Sequence, residues 1–84
     1  MEIVLIKMVE LEEKRGKAKW GNTDRSPEIL LNAATEELGE VAHAINHGEG
    51  PEKSIQEIAE TIGVLSRLFE MIAPPSLITI GGRP

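Results

Sequence analysis

The chain has 84 residues, with 14 acids against 9 bases for a net charge of −5, no cysteine, and a single Trp and a single Phe. One domain fits that length, and disulfide frameworks and thiolate metal sites are excluded. The acidic balance and scarce aromatics disfavour a nucleic-acid partner or a base-stacking platform.

No apolar run reaches membrane-spanning length. The opening Met1-Glu2-Ile3-Val4-Leu5-Ile6-Lys7 carries an acid at position 2 and no basic n-region, unlike a signal peptide. A cytoplasmic protein with no membrane partner is the expectation.

The first predicted helix runs roughly from Glu2 to Lys19, with Val4, Met8 and Leu11 at helical spacing. Its Ile3-Val4-Leu5-Ile6 stretch is β-prone, which leaves the start open. It ends in the basic cluster Lys14-Arg15-Gly16-Lys17-Ala18-Lys19, where a helix C-terminus favours cations. A turn follows over Trp20 to Arg25.

Ser26-Pro27-Glu28 then predicts a helix start, with Ser as N-cap, Pro at the first helical position and an acid in the first turn. This second helix reaches about His47, and Gly48-Glu49-Gly50-Pro51 closes it. A third helix starts at Pro51 or, from the capping box Ser54-Ile55-Gln56-Glu57, at Ser54. It runs to about Ala73 and stops at Pro74-Pro75. The tail, 76–84, is expected to be extended or disordered.

The short link between the second and third helices predicts an antiparallel pair. The fold class is therefore all-α. An antiparallel helical hairpin and an N-terminal helix form one domain over 1–75, and oligomerisation completes the bundle. A chain this short buries a limited share of its surface, so association with further copies is expected.

The carboxylates carry the chemistry. At about 100° per residue, Leu30, Val41, Ala34, Ile45 and Leu38 fall about 20° to 100° from Glu37, and Ala33 and Ala44 flank its other side. Glu37 thus points within the apolar stripe, Glu40 sits at its margin near about −60°, and Glu36 lies further out. The third helix repeats the pattern. Leu68, Ile72, Leu65 and Ile58 lie about 20° to 100° from Glu57, Val64 and Met71 flank it, and Glu60 sits at the margin.

A buried carboxylate without a partner is costly, and two facing each other repel. A divalent cation with oxygen ligands neutralises them, and glutamates at i and i+3 project to one side, as in bundle-core metal sites. The bland alternatives are a solvated acidic face or an ion-paired core with Lys or Arg from the first helix. His43 and His47, at i and i+4, fall on the wetter side and are expected to be exposed. No Gly-rich loop with Lys-Ser/Thr precedes a helix, so a P-loop is absent.

At these residues the sequence resembles the MazG-like nucleoside triphosphate pyrophosphohydrolases. The family pattern, a Glu-Glu-x-x-Glu helix followed by a Glu-x-x-Asp helix, reads here as Glu36-Glu37-Leu38-Gly39-Glu40-Val41-Ala42 and Glu57-Ile58-Ala59-Glu60. Lys19-Trp20-Gly21 and Ser26-Pro27-Glu28 also resemble the approach to this motif, and the resemblance spans roughly 15–72. It implies an all-α homodimer or homotetramer that hydrolyses a nucleoside triphosphate to monophosphate and pyrophosphate with Mg²⁺, or Mn²⁺ in its place. Glu37, Glu40, Glu57 and Glu60 fall on the family's metal-ligand positions. The chain departs from the pattern in two places: Glu60 replaces the usual Asp, and Pro74-Pro75 with a short tail replaces a further helix that often supplies a Lys or Asn.

Under this reading Glu36, outside the metal shell, is the candidate to orient or deprotonate the attacking water. Lys14, Lys17, Lys19 and Arg25 are candidates to meet the phosphate tail, and Trp20 to cover a nucleobase. Two other readings stand beside it. One is hydrolysis of phosphoribosyl-ATP, within the same helical superfamily. The other is a non-catalytic dimerisation module with solvated or ion-paired acids.

Overall fold

The computed structural model describes residues 1–20 and 26–77, with backbone alone for 18–20. Three helices form in chain order: α1 (Ile3–Trp20), α2 (Pro27–Asn46) and α3 (Pro51–Ile72). No strand occurs among the described residues. The fold is all-α, with α2 and α3 as a hairpin and α1 packed on α3.

The β-prone Ile3–Ile6 stretch is helical, and the reason sits one residue upstream. The Glu2 carboxylate accepts from the Val4 and Leu5 amides at 2.7 and 3.0 Å, which satisfies two donors that a helix start leaves open. Local capping thus outweighs the preference of β-branched side chains.

α2 begins as its sequence predicts. Ser26 is extended at φ −71°, ψ 153°, and its hydroxyl accepts from the Ile29 amide at 3.2 Å. Its other end closes in a Schellman arrangement. The Glu49 amide donates to the Ala44 carbonyl at 2.9 Å, the Gly48 amide to Ile45 at 3.3 Å, and Gly48 takes φ +62°. That left-handed position is disfavoured for any residue with a Cβ.

α3 begins at Pro51, the earlier of its two possible starts, with Gly50 as N-cap at φ +99°. Residues 75–77 turn helical again beyond Pro74, where an extended or disordered tail is the sequence expectation.

α3 is the central helix. Val9, Leu30, Ala34, Ala44 and Ala59 form the buried apolar core. Four of these five lie on the hairpin, three of them alanines, so α2 and α3 approach closely. On the other side Gly63 lets α1 come near, because a Cβ there would stand 3.2 Å from the Glu12 Cβ. Glu13 and Ser66 hydrogen bond across the same contact. The pairings of Glu12 with Gly63 and Glu13 with Ser66 advance together along both chains, so α1 runs parallel to α3.

One expectation about burial is corrected. Leu38 and Ile45, placed in the buried stripe of α2, are 60% and 58% exposed within the single chain. Ile58, Leu65, Met71 and Ile72 of α3 are exposed as well. A helical wheel shows which face is apolar, but a single hairpin covers only part of that face.

Candidate metal centre

The two glutamate pairs meet across the α2–α3 contact. Glu37 stands beside Glu60, and Glu40 beside Glu57, a crossed pairing that the antiparallel register makes about the Gly48–Glu49 turn. One ligand oxygen from each of Glu37, Glu40, Glu57 and Glu60 lies within 4.8 Å of the others. The expected split between inner and outer members holds for the extremes. Glu57 is 2% exposed and Glu40 is exposed, while Glu37 and Glu60 are both half-buried.

Two carboxylate oxygens in this cluster, Glu37 Oε2 and Glu57 Oε2, are buried and have no hydrogen-bond partner. A buried acceptor left unpaired costs roughly 1–3 kcal/mol, and more if charged. Four carboxylate oxygens converging on one point are hard donors suited to Mg²⁺, Mn²⁺ or Ca²⁺. The donor set and the two orphaned oxygens fit a divalent ion.

The charge states differ within the quartet. Burial, the hydrogen bond to Glu60 and the neighbouring carboxylates raise Glu37 to about 7. The hydrogen bond to Glu57 and the Glu57 charge raise Glu40 above the ordinary carboxylate range, with burial and Glu60 adding to the effect. Glu57 goes the other way. Burial pushes it up, but hydrogen bonds from Lys53 and Glu40 and the Lys53 charge together hold it below the usual value. Lys53 Nζ sits 3.0 Å from Glu57 Oε1, one turn before it on α3, and that contact raises Lys53 in return.

α1 reaches the site through one side chain. Gln56 Nε2 donates to Glu60 Oε2 at 3.0 Å and to Glu12 Oε2 at 2.6 Å, and Arg15 holds the same Glu12 oxygen at 2.7 Å. The amide thereby orients the glutamate that stands where the resembled family has an aspartate. The hydroxyl of Thr61 is satisfied by the Glu57 carbonyl at 2.8 Å, so it takes no part in the quartet.

Beside the quartet lies an open cleft of about 280 Å³, lined by Glu40, His43, Glu49, Lys53 and Glu57. His43 Nε2 meets Glu49 Oε2 at 3.2 Å, and the His43 and His47 rings stack with centroids 4.2 Å apart. Both histidines are exposed, as expected from the wheel.

Glu36 is exposed on α2, outside the quartet and the cleft lining. Lys17 is exposed on α1 and does not line this cleft. The side chains of Lys19 and Trp20, and Arg25 altogether, lie outside the described residues. Sequence reading missed Lys53, Gln56 and Glu12. The first two carry a local signal, since each stands four residues before a quartet glutamate, a spacing at which helix side chains meet. Glu12 carries none, because its contact depends on how α1 docks.

No protein-family model, no curated protein and no solved structure matches the chain. No described helix is long and apolar enough to cross a membrane.

Proposed function

We propose that the chain is a metal-dependent nucleoside triphosphate pyrophosphohydrolase that releases a nucleoside monophosphate and pyrophosphate. The observation that carries this reading is Glu57, 2% exposed with one unpartnered oxygen, inside four carboxylates whose ligand oxygens lie within 4.8 Å of one another. Lys53 meets only one oxygen of Glu57, so the cluster favours a further cation, and a cation held only by carboxylates at an open cleft retains positions for phosphate oxygens. The resemblance of Glu36–Ala42 and Glu57–Glu60 to the MazG-like pattern points to the same chemistry.

In this reading Glu37, Glu40, Glu57 and Glu60 hold Mg²⁺ or Mn²⁺. When bound, the ion supplies charge neutralisation at the phosphates and a template for in-line displacement. A water oxygen bonds to the α-phosphorus and the bond to the bridging oxygen of the β-phosphate breaks. The water proton passes to Glu36, which is next to Glu37 and outside the ligand set. The pyrophosphate leaves through the open cleft.

The protein acts in this reading as a homodimer or homotetramer. Leu31, Leu38 and Ile45 on α2, and Ile58, Leu65 and Ile72 on α3, recur every seven residues and are all exposed. They lie about 60° to 120° round from Glu37 or Glu57, while Glu40 and Glu60 lie at about −60°. In an antiparallel pair, offsets of one sign fall on one side of the plane through both axes. The apolar rows therefore share the face opposite the mouth of the quartet. Exposed apolar surface of this extent marks an association site. It supports the dimerisation module as a companion of hydrolysis, with each site lying within one protomer.

A panel of nucleoside triphosphates with Mg²⁺ and Mn²⁺, with products resolved by ion-exchange chromatography, tests the reaction. Monophosphate and pyrophosphate are expected in equal amounts. Intact triphosphates after long incubation with either metal would sink the enzyme reading. Glu36→Gln is expected to lower kcat while leaving metal affinity unchanged.

A further inference from the structure

We infer that Lys53 is the residue that anchors the substrate's phosphate chain, released for that task when a divalent ion takes Glu57. This inference rests on the pyrophosphohydrolase reading and deepens it.

Lys53 Nζ lies 3.0 Å from Glu57 Oε1, and its side chain is 54% exposed while that of Glu57 is 3% exposed. The ammonium thus stands at the boundary between the buried quartet and solvent. It also lines the open cleft with Glu40, His43, Glu49 and Glu57. Among the described residues of that lining Lys53 alone carries a fixed positive charge, beside Glu40, Glu49 and Glu57. A polyphosphate entering the cleft needs a cation near the metal, since the carboxylates alone would repel it.

Lysine suits the role. Its ammonium is a compact charge on a flexible four-carbon stem, with three donors that can be re-aimed without moving the helix. Were Glu57 to hold a divalent ion, the double charge would compete with the ammonium for that carboxylate and repel it. Nζ, so freed, would turn from Glu57 toward a phosphate oxygen in the cleft. One side chain serves as stand-in cation before loading and as anion anchor afterwards.

The test separates two affinities in the full-length protein by titration calorimetry. Mn²⁺ alone is one ligand, and a triphosphate with a methylene α,β-bridge in saturating Mn²⁺ is the other. Lys53→Met is expected to bind Mn²⁺ several-fold more tightly and the triphosphate analogue at least tenfold more weakly. Lys53→Arg is expected to restore analogue binding. Lys7→Met, which removes an equal charge from α1 outside the cleft, is expected to move both by less than twofold. Misfolding would weaken both ligands together, so changes of opposite sign exclude it. Analogue binding that is unchanged in Lys53→Met, or lost equally in Lys7→Met, overturns the role of Lys53 while the metal site stands. Absence of Mn²⁺ binding by the wild-type protein overturns the metal reading and this inference with it.

Discussion

Glu37 and Glu57 occupy equivalent places on paired helices, each within an apolar stripe and each one turn before a second glutamate, yet their carboxyl groups are shifted in opposite directions. Glu57 is the more deeply buried and is held below its ordinary value; Glu37 is more accessible and is raised to about 7. Burial disfavours the anion at both places. What differs is the residue four positions earlier: Lys53 stands before Glu57, and Ala33 stands before Glu37. The inner carboxylate with a cation keeps its charge, and the one without shares a proton with its neighbours. In a cluster of like charges the nearest counter-ion therefore decides ionisation more than depth does.

The largest expected effect comes from removing the anionic member. Glu57→Gln is expected to weaken Mn²⁺ binding on the order of 100-fold by calorimetry and to reduce hydrolysis to background. Glu37→Gln is expected to cost less metal affinity, because the wild-type ion must first displace a proton from Glu37 but only an ammonium from Glu57. Equal losses in both variants would break the comparison.

A smaller effect tests the support that α1 gives to the rim. Gln56→Leu removes the amide that orients Glu60 and is expected to weaken Mn²⁺ binding about tenfold, the usual scale for a residue that holds a ligand in place. Affinity unchanged in Gln56→Leu would mean that Glu60 is positioned by Glu37 alone.

An effect of comparable size falls on stability, and its sign is informative. A carboxyl whose folded value is raised stabilises the fold below its unfolded value of 4.5, and that contribution is lost as pH rises through about 7. Glu57, lowered, contributes above its unfolded value and loses that contribution as pH falls through its folded one. Thermal melts of metal-free protein are expected to show a stability loss on the order of 1–2 kcal/mol between pH 4.5 and 7.5, after allowance for solvent screening at half-buried Glu37. Saturating Mg²⁺ is expected to abolish that loss, and Glu37→Gln to flatten it without metal. A metal-free midpoint that climbs over this range would contradict the assignment of the proton to Glu37.

Much of this site is legible in the residues alone, and the reason is local. Glutamates at i and i+3 on two helices joined by a four-residue turn must converge once the helices pair, and Ser26-Pro27 and Gly48 mark where α2 begins and ends. Helix α1 is less legible. Its start depends on a glutamate cap that outweighs a β-prone run, and its docking depends on Gly63, whose meaning appears only when Glu12 lies against it. The chain Arg15–Glu12–Gln56–Glu60 follows from that docking and has no spacing signature. Leu38 and Ile45 teach a third lesson. Periodicity assigns them to the apolar face, but the hairpin of a single chain leaves that part of the face exposed.

The Gly48–Glu49 turn has a kinetic consequence. All four glutamates of the quartet fall in the continuous stretch 37–60, so the loop that must close to unite them is short. Closure of loops this small takes on the order of tens to hundreds of nanoseconds, and helix growth is comparably fast. The glutamate quartet is therefore expected to assemble in the same event that forms the hairpin, ahead of α1 docking. Divalent ions are expected to bind at this stage and to favour the hairpin over competing collapsed forms.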